Sequence, residues 1–172
     1  MGRVKEGKGT LLGNAGEHFV CAELLRRDVI AAPAPRNAPG IDVLATNGPR
    51  SVNVRVKTMS DEADSWVWMA RKSDGGVFRN LQEKLDFVVL VHIKREGAPD
   101  YWVVPTAKLE AELSRHHNEW FAKPGRGGRA HNDTRMRRYG QDALHQTWLA
   151  PYKDNWELVL AELGGGTREG SA

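Results

Sequence analysis

Ile41-Asp42-Val43-Leu44-Ala45-Thr46 is followed by Asn47-Gly48-Pro49-Arg50, and then by Ser51-Val52-Asn53-Val54-Arg55-Val56-Lys57-Thr58. The last run alternates strictly. Val52, Val54 and Val56 fall on one side, and Asn53, Arg55 and Lys57 on the other. Successive side chains of a strand point to opposite faces, so this pattern predicts a strand with one apolar and one polar face. The first run is short, rich in β-branched residues and bounded by Gly40 and Asn47-Gly48, which suits a tight turn. A hairpin over 41–58 follows. It places Asp42 at the start of one strand and Lys57 near the end of its partner. Adjacent strands lie about 4.8 Å apart, so the two side chains converge at one edge of a sheet.

Working outward, NAGEHFVCAELLRR (14–27) predicts a helix. Asn14 is its cap, and Glu17 stands three residues later, as in a capping box. Phe19, Val20 and Leu24 give it an apolar face. Residues 28–32 read as a short strand or extended exit, and Pro33, Pro35 and Pro39 make the next stretch an irregular loop. Beyond the hairpin, Trp66 and Trp68 stand two apart, as on a strand pointing both indoles one way, for packing rather than base stacking. Asp86–Lys94 is the most hydrophobic strand and the expected centre of the sheet, with Tyr101–Pro105 as its partner. Thr106 caps a helix over 106–117 that carries Leu109 and Leu113 at i,i+4. Residues 121–140 are dominated by Gly, Pro and Arg and read as a loop. A short helix ending near Trp148-Leu149 and a second one capped by Asn155 complete the chain, with 164–172 as a tail. The expected organisation is a flexible N-terminus (1–12), a core (13–120), an Arg/Gly-rich loop with a C-terminal helical extension (121–163), and a flexible tail (164–172).

Composition bounds the function. The chain has 172 residues, 40% hydrophobic and 27% charged, which is ordinary globular usage and fits one domain. Cys21 is the single cysteine, so no intrachain disulfide forms and a reducing, cytoplasmic setting is expected. Its apolar helical neighbours make it a small buried hydrophobe. No apolar run approaches the ~20 residues of a membrane span, and no apolar stretch follows the basic N-terminus as in a signal peptide. The segment GRVKEGKG has phosphate-loop spacing, but Gly9 stands where a Ser or Thr is needed and no hydrophobic strand precedes it. His116, His117, His131 and His145 lack zinc-ligand spacing, and no Gly-x-Ser-x-Gly elbow is present. The net charge of +3 and pI near 9.1 are weak indicators; the distribution of charge says more.

Glu17, Asp42 and Lys57 thus stand in order on a helix, a strand and its partner strand. Phosphodiester hydrolysis needs carboxylates to hold a divalent cation, and a nearby cationic side chain to support the reacting water and the developing charge. The runs GNAGEHFVCAELLRR (13–27), APGIDVLA (38–45) and VNVRVKT (52–58) resemble the PD-(D/E)xK nuclease superfamily. The likeness is to its Holliday-junction-resolvase and intron-associated endonuclease branches. It is clear over about residues 13–58 and weaker over 86–94, 101–105 and the following helix. It implies an α/β, restriction-endonuclease-like core with a mixed central β-sheet flanked by helices. It also implies that Glu17 and Asp42 bind Mg²⁺ or Mn²⁺ with the carbonyl of Val56, and that Lys57 is the catalytic lysine. Arg55 departs from the pattern, because the family places Glu or Gln there. A guanidinium cannot coordinate a metal and repels a dication. Either the two carboxylates, the carbonyl and waters hold the ion, or Arg55 grips a phosphate in a fold that no longer cuts. Related nucleases pair to cut two strands, which makes a homodimer a candidate assembly.

Arg126, Arg129, Arg135, Arg137 and Arg138 face one acid, Asp133, giving that segment a local charge of +4. Arginine's planar fork matches phosphate, the glycines at 125, 127 and 128 allow close backbone approach, and Trp120, Tyr139 and Trp148 flank the segment. A nucleic-acid-contacting arm, for DNA first, is the favoured reading over a solvated loop. The leading function is a metal-dependent endonuclease or DNA-processing protein. The alternatives are a catalytically silent nucleic-acid-binding module on the same fold, and a partner-binding structural domain.

Overall fold

The computed structural model describes residues 8–35, 38–79, 81, 85–132, 134–140 and 142–164. In chain order the elements are α1 (Lys8–Leu25), β1 (Ile30–Pro33), β2 (Val43–Thr46), β3 (Ser51–Ser60), β4 (Ser65–Met69), β5 (Asp86–Ile93), β6 (Asp100–Pro105), α2 (Thr106–Ala122), β7 (Met136–Gly140), α3 (Ala143–Leu149) and α4 (Glu157–Glu162). The alternating run is the strand on which the sheet is built. β3 pairs antiparallel with β2 and parallel with β5. β1 joins antiparallel beyond β2, and β6 antiparallel beyond β5. The result is a mixed five-stranded sheet of order β1-β2-β3-β5-β6, the α/β architecture the sequence implies. β4 and β7 form a separate antiparallel ribbon. No helix among the described residues is long and apolar enough to cross a membrane.

Two cores sandwich the sheet. On one face, Val20 and Leu24 of α1 and Trp156 and Val159 near the C-terminus pack on Val54 and Val89. On the other, Trp66 and Tyr139 of the ribbon join Leu90, Trp102, Leu109 and Leu149. β5 supplies both faces, which explains its nearly unbroken apolar run. Both indoles at 66 and 68 are buried in the second core, and Trp66 Nε1 donates to the Val91 carbonyl at 3.2 Å.

Several boundaries differ from the sequence reading. α1 begins at Lys8, so Asn14 lies inside it and does not cap it. Gly13 and Gly16 hide this start, because glycine inside a helix is intrinsically unfavourable. Gly16 has a packing reason: a Cβ there would stand 1.9 Å from Thr58 Oγ1. The bare backbone lets α1 settle against β3. Thr106 is buried within α2 and makes no capping bond; Pro105 holds the cap position. Asn155 donates to the Pro151 carbonyl at 3.0 Å instead of capping α4. The stretch 121–140 is not all loop. Arg126–Gly128 forms a 3-10 turn, and β7 is a strand held by its pairing to β4, with Tyr139 opposite Trp66. The N-terminal residues 1–7 and the expected tail from 165 onward lie outside the described residues.

The two helical glycines separate packing from propensity. Gly16→Val should destabilise the fold by roughly 1–3 kcal/mol through overpacking. Gly13→Ala, with open space around its Cβ position, should stabilise it by about 0.5–1 kcal/mol. Urea unfolding midpoints of the two variants check both signs.

Candidate active site

Asp42 is the residue just before β2. Its N–H donates to the Val54 carbonyl at 3.0 Å. Its carboxylate turns back toward β3, and Oδ2 accepts from the Val56 N–H at 2.7 Å. β2 stops short of Val56, so the Asp42 side chain satisfies an amide that the ladder leaves open. In an antiparallel pair, a residue's N–H and C=O point to the same edge of its strand. The Val56 carbonyl therefore faces the edge where Asp42 lies. A carboxylate has about four acceptor sites, so this one hydrogen bond leaves room for other partners.

Two clefts meet at Asp42. The first, of 340 Å³, lies between α1 and the Pro33–Asp42 loop and is lined by Glu17 as well as Asn14, His18 and Ile41. The second, of 200 Å³, is lined by Gly40, Arg55, Val56, Lys57, Trp68 and Phe78. Asp42 thus shares one opening with Glu17 and the other with Lys57. Close seating of α1 through Gly16 brings Glu17 to this end of β3. The Lys57 Nζ stands 5.7 Å from the centroid of the Trp68 ring. Burial pushes the Lys57 pKa below the ordinary lysine value, and the charge of Asp42 acts against that shift. Cys21, one helical turn from Glu17, is buried; burial and then the Glu17 charge raise its thiol pKa.

Arg55 is on the Lys57 face of β3 but turned into the protein. Its side chain is only 9% exposed, and that of Asp86 1%. Nε donates to Asp86 Oδ1 at 3.2 Å, and Nη2 lies 3.1 Å from the same oxygen. Nη2 also donates to the Arg79 carbonyl at 2.7 Å, and the guanidinium lies over the Phe78 ring. A Cβ on Gly40 would stand 2.2 Å from Nη1. Gly40, at φ +76°, therefore lets the turn before Asp42 close directly onto Arg55. Asp86, Phe78 and Gly40 were not singled out as partners of Arg55 by the sequence. The one available sign was an acid heading the most apolar strand.

The arginine-rich segment is joined to this centre through the ribbon. Register pairs Trp68 with Arg137 and Val67 with Arg138. The Arg135 carbonyl accepts from the Ala70 N–H at 2.7 Å, at the end of β4. Arg137 is thus a cross-strand neighbour of the residue that flanks Lys57. Arg135 and Arg138 are exposed, as is Arg129 after the 3-10 turn. The side chain of Arg126 and residue Asp133 lie outside the described residues.

Oxygen donors from Asp42, Glu17 and the Val56 carbonyl are the type that Mg²⁺ and Mn²⁺ prefer, and Mg²⁺ commonly keeps several waters beside one or two carboxylates. The set fits such an ion in kind. Among the described residues no group of three or more His, Cys, Asp or Glu side chains gathers as a metal site, so waters would complete the coordination. The Arg55 charge that would oppose a dication is compensated by Asp86.

No protein family profile and no curated protein sequence matches the chain. Among solved structures, it is similar to the bacterial homing endonuclease I-Ssp6803I, at a TM-score of 0.55 and 14% identity, over 94% of this chain and 98% of that one. It is also similar to Hjc, a Holliday junction resolvase of Archaeoglobus fulgidus, at a TM-score of 0.36 and 15% identity, over 55% of this chain and 73% of that one. At 14% identity the likeness to the homing endonuclease is one of fold, and it spans nearly the whole of both chains.

The buried pair has a measurable signature. Removing one partner of a buried ion pair leaves an uncompensated charge, so Asp86→Ala should cost about 3–5 kcal/mol. The double replacement Arg55→Met with Asp86→Leu should recover most of that loss. Denaturant unfolding of the single and double variants measures the coupling. A loss under about 1 kcal/mol in Asp86→Ala, the range of an exposed pair, would contradict a buried pair.

Proposed function

We propose that the chain is a metal-dependent endonuclease whose centre is Asp42. The observation that carries this is the position of Asp42 at the junction of two clefts, one shared with Glu17 and the other with Lys57. Glu17, Asp42 and the Val56 carbonyl are the groups that would hold Mg²⁺ or Mn²⁺. When bound, such an ion offsets charge on the transferring phosphate and lowers the pKa of a water. Lys57 would orient the attacking water and meet the negative charge that develops on the phosphate oxygens. Its ammonium lies 5.7 Å from the Trp68 ring centroid and feels the Asp42 charge, and its partial burial strengthens its electrostatic reach. Oδ2 of Asp42 is oriented by the Val56 N–H, which fixes the carboxylate against the strand that carries Lys57. Arg55 is a positioning residue in this scheme. Its donors are committed to Asp86 and the Arg79 carbonyl, and it backs the Gly40 turn that sets Asp42.

DNA is the proposed substrate. Arg129, Arg135, Arg137 and Arg138, with Arg126 in the preceding turn, form the proposed contact to its phosphates. Support comes from the register that sets Arg137 beside Trp68, and from the fold likeness to an endonuclease. The second reading is a binding module that does not cut. It is favoured by one observation: Arg55 stands where a metal-ligating Glu or Gln would be.

Cleavage of plasmid, single-stranded and four-way-junction DNA, with Mg²⁺ or Mn²⁺, separates the two. The expected result is metal-dependent cutting that falls by at least 100-fold in Asp42→Ala and in Lys57→Ala, the scale of losing one electrostatic group from a reacting centre. Wild-type protein that binds these DNAs and cuts none of them selects the binding module.

A further inference from the structure

A pocket of 220 Å³ opens between α2 and β7, apart from the two clefts at Asp42. Leu113, His116, His117 and Trp120 of α2 form one side, and Thr134, Met136 and Arg138 the other. Its volume lies below the ~300 Å³ at which drug-sized ligand sites begin. It suits one planar ring system. Leu113 and Met136 make it apolar inside, and the thioether is a polarizable contact for an aromatic ring. Trp120 is 38% exposed. His131 stacks on its indole, with centroids 4.0 Å apart and planes at 29°, yet does not line the pocket. His131 therefore braces the indole from outside. Burial and the neighbouring His145 lower the His116 pKa, which disfavours a charge on that side chain.

Among the described residues, Arg138 is the one guanidinium in the lining. It is exposed, and its Nε lies 3.1 Å from Met136 Sδ, so the charge stands over the apolar wall. The combination is an aromatic-walled slot with a cation at its rim, on the strand that also carries Arg137. An uncharged aromatic ring attached to an anionic backbone complements both features.

We propose that this pocket takes a single unstacked nucleobase, with its ring against Trp120 and the adjoining phosphate at Arg138. The proposal rests on the nucleic-acid reading above and deepens it. Stacking tolerates any base, because every base has a π-face, so the pocket selects for an unpaired base rather than for sequence. β7 lies beside β4, whose Trp68 adjoins Lys57. A base held here fixes the register of the strand relative to the Asp42 centre.

The test uses the full chain and DNA carrying one 5-iododeoxyuridine, as a single strand and as a paired duplex. Irradiation links the iodinated base to an aromatic side chain stacked on it, and mass spectrometry locates the adduct. Binding to unmodified DNA is followed by fluorescence anisotropy. The expected adduct is on Trp120 or His117. Trp120→Ala should weaken single-strand binding by about 5- to 100-fold, and Trp120→Phe should keep most of it. An adduct with the single strand alone assigns capture of an already unpaired base, and one with the duplex too assigns extrusion from a helix. DNA binding with adducts elsewhere and unchanged affinity in Trp120→Ala overturns the pocket and leaves the nucleic-acid reading standing. Absence of binding to either DNA overturns both.

Discussion

A cation inside a β-sheet requires a counter-charge, and Arg55 finds one in Asp86. Taking two charges from water costs several kcal/mol per ion. That cost is met here by a short ion pair, a bond to the Arg79 carbonyl and the face of Phe78. Three consequences follow for the site. β3 and β5 are tied together at the end of the sheet where Asp42 lies. The Gly40 turn closes onto the guanidinium, which sets the path of the chain into Asp42. The Arg55 charge is compensated by Asp86, while Lys57 and Asp42 both line the second cleft. Arg55 is therefore compatible with the proposed metal centre of two carboxylates and a carbonyl.

The opposite face of the sheet carries the other half of the account. Trp66 and Tyr139 anchor the β4–β7 ribbon in the second core, leaving Arg135 and Arg138 exposed. The same ribbon brings Trp68 against Lys57. Packing of aromatic residues thus positions both a cation near the proposed reaction and the arginines proposed to hold the substrate. The connection between these groups is a strand register, not a flexible arm.

The hairpin at 41–58 was legible because its period of two and its Asn-Gly turn are local signals that agree with one another. The same holds for β5 and β6, whose apolar runs leave little choice. The placements of Glu17 on a helix, of Lys57 on a strand and of Asp42 beside the hairpin were legible from the patterns around them; that the three act together is the proposal. β7 was not. Met136-Arg137-Arg138-Tyr139-Gly140 has little apolar periodicity, and its strand character comes from pairing with β4, far away in sequence. The start of α1 was hidden by Gly13 and Gly16. The Gly16 backbone is needed for an approach to Thr58 that no local rule reveals. The inward turn of Arg55 depends on Asp86, a residue 31 positions further along the chain, and only the parallel pairing of β3 with β5 makes them neighbours.

The proposed site requires Asp42 to bind a divalent cation despite Arg55. The most direct measurement is the anomalous diffraction of Mn²⁺ in crystals of the wild-type protein and of Asp42→Ala. One Mn²⁺ peak is expected within about 2.5 Å of an Asp42 carboxylate oxygen, a distance typical of bonds from hard cations to oxygen, with its loss in the variant. A wild-type map with no peak at Asp42, or a peak there that survives in Asp42→Ala, would contradict it.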